Sequence, residues 1–464
     1  MSPRLNDQHA GSPPPASGSL APEFTAAPDA SAEESRVVSK VLRRIIPITV
    51  IGLFVSFIDR TNISVAGPAM DGDLGLTPTI FGLASGLFFV GYVLFEIPSN
   101  LALKRFGAKL WIPRIMITWG VICGLTALVQ GASSLYVMRL LLGIAEAGFY
   151  PGILFYLGLF VPARQLTRAY SLYQIGIPVS LALGSVLTAA LLTMDGILGV
   201  TGWQWVFIIQ GGMAVVVGII CFAIMPSSPD KASWLDKREK SVLRAAMERD
   251  QDNSGDTADH GLAAVLTIMR NKQVWYYCLI YLLMMLGFYS VTYWLPQIIK
   301  LKLNTGTVAA GLLSAIPWAV ATAALVFVSR YTARNTGKRT RILTVTLLVC
   351  TVGMLIASLT GNAVFALVGL CLGACIQAAV PLLYSFPAQH FPGAKGAVAL
   401  ALVNSIGNIG GFAGPYLLGM LRDGTGSDTF GLLVLSLSFL LAAALSIGLQ
   451  RQLRKSPAYV PGVD

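Results

Sequence analysis

Four ionisable residues interrupt otherwise apolar stretches: Asp59 and Arg60 side by side, and Arg139 and Glu146 seven positions apart. A charge in the middle of a bilayer costs at least roughly 2.5–3.5 kcal/mol, so residues of this kind need a reason to be there. On a helix, Arg139 and Glu146 are separated by nearly two full turns. Both then project from one face, about 10 Å apart along the axis, too far to neutralise each other. Each needs a partner on another helix, and Asp59 and Arg60 are the candidates. Two acids and two bases form a neutral set, which protonation of one carboxylate or arrival of an anion would unbalance. In chemical terms that is a coupling device. The alternative is an ion-pair network that only holds helices together, a task that apolar packing performs without the desolvation cost. Glu96 lies near Lys104 and Arg105, and a local salt bridge is the expectation for it.

The elements that must carry these residues are long and apolar. Of 464 residues, 55% are hydrophobic and 12% charged, about half the charge of an ordinary soluble domain. Mean hydropathy is +0.69. A soluble core stops growing at roughly 250–300 residues, and collagen-like, disordered and disulfide-rich classes do not fit this composition. Twelve apolar stretches reach the ~20 residues that cross a bilayer. They are 45–67, 80–103, 110–130, 134–159, 169–192, 203–225, 273–299, 307–330, 339–360, 363–386, 396–420 and 429–449. The fold class expected is an all-α integral membrane protein with twelve transmembrane helices in two six-helix halves.

The net charge of +11 is a topology signal rather than a nucleic-acid signal. One side collects Arg36, Lys40, Arg43, Arg44, Lys104, Arg105, Lys109, Arg164, Arg168 and the run from Lys231 to Lys272. Arg330 to Arg341, Lys395 and Arg451 to Lys455 fall there too, whereas the other side holds only Lys300, Lys302 and Arg422. The positive-inside rule puts both termini in the cytoplasm, as expected of a multi-pass protein of the inner (plasma) membrane. Residues 1–40 are rich in Pro, Ala, Ser and Gly and read as a disordered cytoplasmic tail without a cleavable signal. The expected divisions are that tail, a first six-helix half over 41–225, a cytoplasmic loop over 226–272, a second half over 273–450, and a tail over 451–464. Within the loop, 231–250 reads as an amphipathic helix on the membrane face, with Trp234 and Leu235 as interfacial anchors.

Six spans on each side of the loop match the internal-repeat layout of secondary transporters. Phe160-Val161-Pro162 before the fifth span and Phe391-Pro392 before the eleventh are a weak echo of it. The six cysteines all lie in apolar spans and read as packing; Cys371 and Cys375 lack a nearby His, so no metal site is expected. His9, His260 and His390 fall outside the spans, which leaves no histidine for a proton relay. No Walker lysine or strand-linked glycine loop is present, so neither cofactor nor ATP-driven pumping is expected. In the eleventh span, Asn404 to Pro415 is dense in glycine, allowing close helix approach and a bend at Pro415. Either Asn404 or Asn408 could also face substrate, because an unpaired amide facing lipid is costly. Tyr92, Tyr150, Tyr173, Tyr289, Tyr293 and Trp294 are aromatics able to line a cavity, although most such residues pack or anchor.

Several motifs resemble the anion:cation symporter family of the major facilitator superfamily. They include Asp59-Arg60-Thr61-Asn62, Leu94-Phe95-Glu96-Ile97-Pro98-Ser99-Asn100 and the stretch from Arg114 to Trp119-Gly120. The fourth-span run from Arg139 through Gly143 and Glu146 to Pro151-Gly152 is the most specific, joined by Gly202-Trp203-Gln204-Trp205 and Asn404 to Asn408. The resemblance covers about 40 to 450. It implies Asp59 and Glu146 as proton-carrying carboxylates, with Arg60 and Arg139 serving the substrate carboxylate and coupling. It also implies Tyr92, Gln174 and Asn404 as cavity residues. Members take up organic anions such as galactonate, tartrate, phthalate and hydroxyphenylacetate with protons. Two departures stand out: Lys104 replaces the usual acid in the loop after the second span, and the fifth span has only Gly176-Ile177-Pro178 where antiporters carry a Gly-Pro run. The second departure favours symport.

The leading expectation is therefore a monomeric, proton-coupled importer of a small organic carboxylate. The rivals are a proton-driven exporter of a metabolite or drug, and a membrane receptor or integral membrane enzyme. The charge sorting makes a direct prediction. Cysteine labels at 68–79 or 193–202 should react with an impermeant reagent from outside, and labels at 231–260 only after permeabilisation; exposure of the latter in intact cells would overturn the topology.

Overall fold

The computed structural model describes residues 28–252, 267–391 and 394–454. Among the described residues, twelve helices are long and apolar enough to cross a membrane. They run Ala32–Leu74, Pro78–Phe106, Ala108–Leu128, Ala132–Gly158, Ala163–Leu192 and Gly202–Ile224, then Lys272–Lys302, Thr307–Arg334, Arg339–Leu359, Ala363–Pro387, Val398–Thr425 and Asp428–Gln452. Seven contain the whole apolar stretch expected for them, and the other five match theirs to within two residues at one end.

The packing is itself a repeat. Spans 1–5, 1–6, 2–4, 3–4 and 3–6 pack together, and so do their counterparts 7–11, 7–12, 8–10, 9–10 and 9–12. Across the halves, span 2 packs on 11, 5 on 8, and 1 on 7. Adding six to each span number maps this set onto itself, which is the pattern of two repeated halves related by an approximate two-fold axis.

Glycine decides how closely the spans approach. On the eleventh span one row, Gly407, Gly410 and Gly414, lies against Tyr281, Leu282 and Leu286 of the seventh. Another row meets the second span: a Cβ at Gly82 would stand 2.5 Å from the Pro415 carbonyl oxygen, and one at Gly86 would stand 2.8 Å from that of Phe412. The contacts with the second span lie toward the end of the bundle away from the chain termini, here called the far end. Polar bonds reinforce it. The Thr79 amide donates to Asp423 at 2.8 Å, Trp294 donates to the Pro415 carbonyl at 3.0 Å, and Arg422 bridges Gln297 and Asp428. The far end is sealed.

Two expectations change at the terminal end. The first helix starts at Pro28, well inside the expected 1–40 tail; residues 1–27 lie outside the described residues. Val37, Val38 and Val41 are buried, and charged residues of this extension pair with opposite charges of the middle loop and of the fifth span's start. Arg238 pairs with Glu33, Lys40 with Glu239, and Glu34 with both Arg164 and Arg249. The loop helix, Lys237–Asp252, opens with a reciprocal cap in which Asp236 and Glu239 accept each other's backbone amides. Leu235, Leu243 and Ala246 are buried in the protein, so the apolar face docks on the first half instead of on lipid. Pro392 lies outside the described residues, while Phe160 and Pro162 do precede the fifth helix.

The second and fourth spans cross with backbone contact, since a Cβ at Gly143 would collide with the Phe88 carbonyl. Gly143→Ala should lower the detergent melting midpoint by roughly 5 °C or more, because overpacking here strains both helices. Gly212→Ala, where a Cβ meets nothing within 4 Å, should leave it unchanged.

Candidate functional site

Neighbouring residues on a helix point about 100° apart, and Asp59 and Arg60 accordingly face different elements. Arg60 turns toward the middle of the bundle and pairs with Glu146 at 2.5 Å. Ser56, one turn earlier on the first span, donates to the same Glu146 oxygen at 2.7 Å. The guanidinium lies over the rings of Phe57, Phe88 and Tyr92, with centroids 5.1, 4.8 and 5.3 Å away. Such faces favour a weakly hydrated cation. Asp59 instead points at the third span, where the Trp119 indole donates to it at 2.9 Å. Asp59, Arg60, Arg139 and Glu146 are all buried.

Glu146 owes its position to a break in its own span. One helix ends at Glu146, Gly148 adopts a left-handed conformation (φ 85°), and a second helix starts at Phe149. Only a residue without Cβ fits, since one at Gly148 would also run into Ser99. The tenth span, the fourth span's counterpart, breaks similarly at Cys375–Ala378 between Ala363–Ala374 and Val380–His390. Discontinuous helices near the membrane centre are where transporter sites are built.

The expected pairing of Arg139 with Asp59 is not present. Arg139 donates to the carbonyls of Ala84 and Arg60 and to the Tyr293 hydroxyl, each at 3.3 Å. The reason is depth: Arg139 sits nearly two turns farther toward the far end than Glu146, while Asp59 turns to the third span. One oxygen each of Asp59 and Glu146, Arg60 Nε and Arg139 Nη1 have no hydrogen-bond partner. Glu96 forms no ion pair with Lys104 or Arg105 among the described residues, against expectation.

A cavity lies between the halves. Arg60, Tyr92, Tyr150 and Gln174 line it from the first half, and Tyr281, Tyr289, Gln377, Tyr384, Asn404 and Asn408 from the second. Of the residues singled out from sequence, Arg60, Tyr92, Tyr150, Gln174, Tyr289, Asn404 and Asn408 thus meet at one place. Glu146 lies behind Arg60, while Asp59 and Arg139 are outside the wall. Tyr281, Gln377 and Tyr384 were not foreseen; an amide at the break of a span whose counterpart breaks beside Glu146 was the available signal for Gln377. The Tyr384 hydroxyl bonds Asn404 Oδ1 at 3.1 Å and lies 2.7 Å from the Tyr281 hydroxyl. With its oxygen engaged, Asn404 offers its N–H groups to the cavity.

Two repeated six-helix halves around a buried, charged and amide-lined cavity define a membrane transporter. The family model described as Major Facilitator Superfamily matches residues 49–415, and the chain belongs to that superfamily. It is 39% identical over 424 residues to an Agrobacterium vitis protein provisionally named a tartrate transporter, covering 91% of this chain and 93% of that one. It is 34% identical to the quinolone resistance transporter of Acinetobacter baumannii, covering 89% and 94%. Among solved structures, a bacterial homologue of the human lysosomal transporter Spinster superposes with a TM-score of 0.73 at 19% identity, covering 91% and 99%. The motif resemblance to the anion:cation symporters agrees with these relatives.

Asp59 accepts its 2.9 Å hydrogen bond from the Trp119 indole. Trp119→Phe should leave a buried carboxylate unsatisfied and lower the melting midpoint by roughly 5 °C or more. Adding Asp59→Asn should recover at least half of that loss. If the double variant melts no higher than the single one, the tryptophan acts through packing alone.

Proposed function

We propose that this transporter is a proton-coupled symporter that imports a small organic carboxylate by alternating access, as a monomer in the inner (plasma) membrane with both termini cytoplasmic. The observation that carries this reading is the Arg60–Glu146 pair at the cavity wall. Arg60 is the cavity's cation, and a carboxylate ligand competes with Glu146 for it. Protonation of Glu146 removes the competitor and frees the guanidinium to grip the incoming carboxylate through two parallel hydrogen bonds. Substrate and proton therefore assist each other's binding, which is the linkage of a symporter; an antiporter needs them to exclude each other.

Tyr92, Gln174 and Asn404 would hold the remainder of the substrate, with Asn404 fixed by Tyr384. Tyrosine hydroxyls and amides on both halves suit a ligand bearing hydroxyl groups beside its carboxylate, and the relatives named for tartrate support that class. Asp59 is the second proton site in this scheme. Arg139, outside the cavity wall, acts on substrate through the Arg60 carbonyl. Export of a drug with proton entry is the second reading, supported by the relative named for quinolone resistance.

Uptake of labelled tartrate into right-side-out vesicles separates them. Acidifying the outside should drive accumulation, and tartrate binding should strengthen as pH falls. Glu146→Gln, which mimics the protonated acid, should abolish accumulation, preserve counterflow exchange and remove the pH dependence of binding. Accumulation by the Gln variant on a pH gradient alone would remove Glu146 from coupling, and proton-driven loss of a preloaded quinolone would favour the exporter.

A further inference from the structure

Tyr293 belongs to the second half, yet its hydroxyl enters the charged cluster of the first. It donates to the Arg60 backbone carbonyl at 3.1 Å and accepts from Arg139 at 3.3 Å. Arg139 donates to the same carbonyl at 3.3 Å, and its guanidinium lies 5.9 Å from the centre of the Tyr293 ring. One turn farther along the first span, Ser64 donates to the Thr292 carbonyl at 2.8 Å. Two adjacent residues of the seventh span thus bond two points one turn apart on the first. This strap lies between the cavity and the sealed far end, beside a small polar space lined by Ser64, Ser185, Thr292 and Ser314.

Parting of the halves at the far end must break both bonds. The buried Arg139 would then lose the only side-chain acceptor it has among the described residues, while one of its nitrogens is already unpartnered. The cost falls on the helix turn that carries Arg60, because Arg139 and Tyr293 hold the same carbonyl of that turn. We propose that Tyr293 is a positioning residue through which closure of the far end and the state of the Arg60–Glu146 pair are linked. A hydroxyl from one half serves as the side-chain acceptor of a buried arginine in the other only while the far end is closed. The link to proton binding rests on the symport reading above; the strap itself does not.

The experiment uses full-length protein carrying Ser185→Cys, labelled in intact cells by an impermeant maleimide from the far-end side. The six native cysteines are buried or partly buried, and the parent without Cys at 185 corrects for them. Tyr293→Phe, which keeps the ring, should raise the labelling rate at least fivefold and flatten its dependence on external pH. Ser64→Ala should raise the rate as well, through the second strand of the strap, and stands in if the Phe variant fails to accumulate. Unchanged rate and unchanged pH slope in a Tyr293→Phe protein that melts like its parent would overturn the proposal. A parent with no pH slope speaks against the symport reading alone; the rise in rate then still decides the strap.

Discussion

An arginine placed inside an apolar bundle has to be matched, and the match between Arg60 and Glu146 organises most of what surrounds it. A buried ion pair is a poor source of stability, since desolvating both partners offsets much of their attraction. Here the attraction is supplemented on both sides. Ser56 donates to the carboxylate, and the rings of Phe57, Phe88 and Tyr92 take the faces of the guanidinium. To reach that position Glu146 needs a fourth span that comes within backbone contact of the second at Gly143 and stops being helical at Gly148. Two glycines and a broken helix thus serve one ion pair.

The two-fold repeat shows that the charged pair belongs to one half only. The fourth and tenth spans occupy equivalent places and both break near the membrane centre, but the break carries Glu146 in one and Gln377 in the other. The first half therefore provides the ions, while both halves provide amides and tyrosine hydroxyls that face the same cavity. An anion arriving between them meets one movable charge and several fixed dipoles. Such a division lets the charge state change without dismantling the polar wall that recognises the ligand.

Much of this was legible in the sequence, and what was not has physical causes. Apolar length gave the twelve spans, and the cost of buried charge picked out the residues that matter. Adjacent positions on a helix cannot face one partner, so Asp59 and Arg60 had to diverge; which of them would meet Glu146 depended on tertiary packing that no periodicity encodes. Arg139 was assigned an acid because it is charged, yet two carbonyls and a hydroxyl from three spans receive it. The first forty residues read as a tail from composition, whereas Glu33 and Glu34 find arginines more than a hundred residues away. Leu235 was a lipid anchor on sequence and a core residue in the fold, because amphipathicity identifies an apolar face without naming what covers it.

The placement of Arg139 bears on why two arginines are needed at all. Were both to line the cavity, a monocarboxylate would neutralise one and leave the other exposed to a second anion or to Glu146, which would weaken the proposed dependence of binding on protonation. Under the proposed symport scheme, withdrawing Arg139 nearly two turns toward the far end leaves a single guanidinium to be contested, so that occupancy of Arg60 by substrate and ionisation of Glu146 exclude each other. Arg139 instead grips the carbonyl of the contested residue together with a hydroxyl from the opposite half. Its charge is then most tolerable when the halves are closed at that end. In the proposed scheme one arginine responds to the ligand and the other to the conformation, and the peptide unit of Arg60 is where the two responses meet.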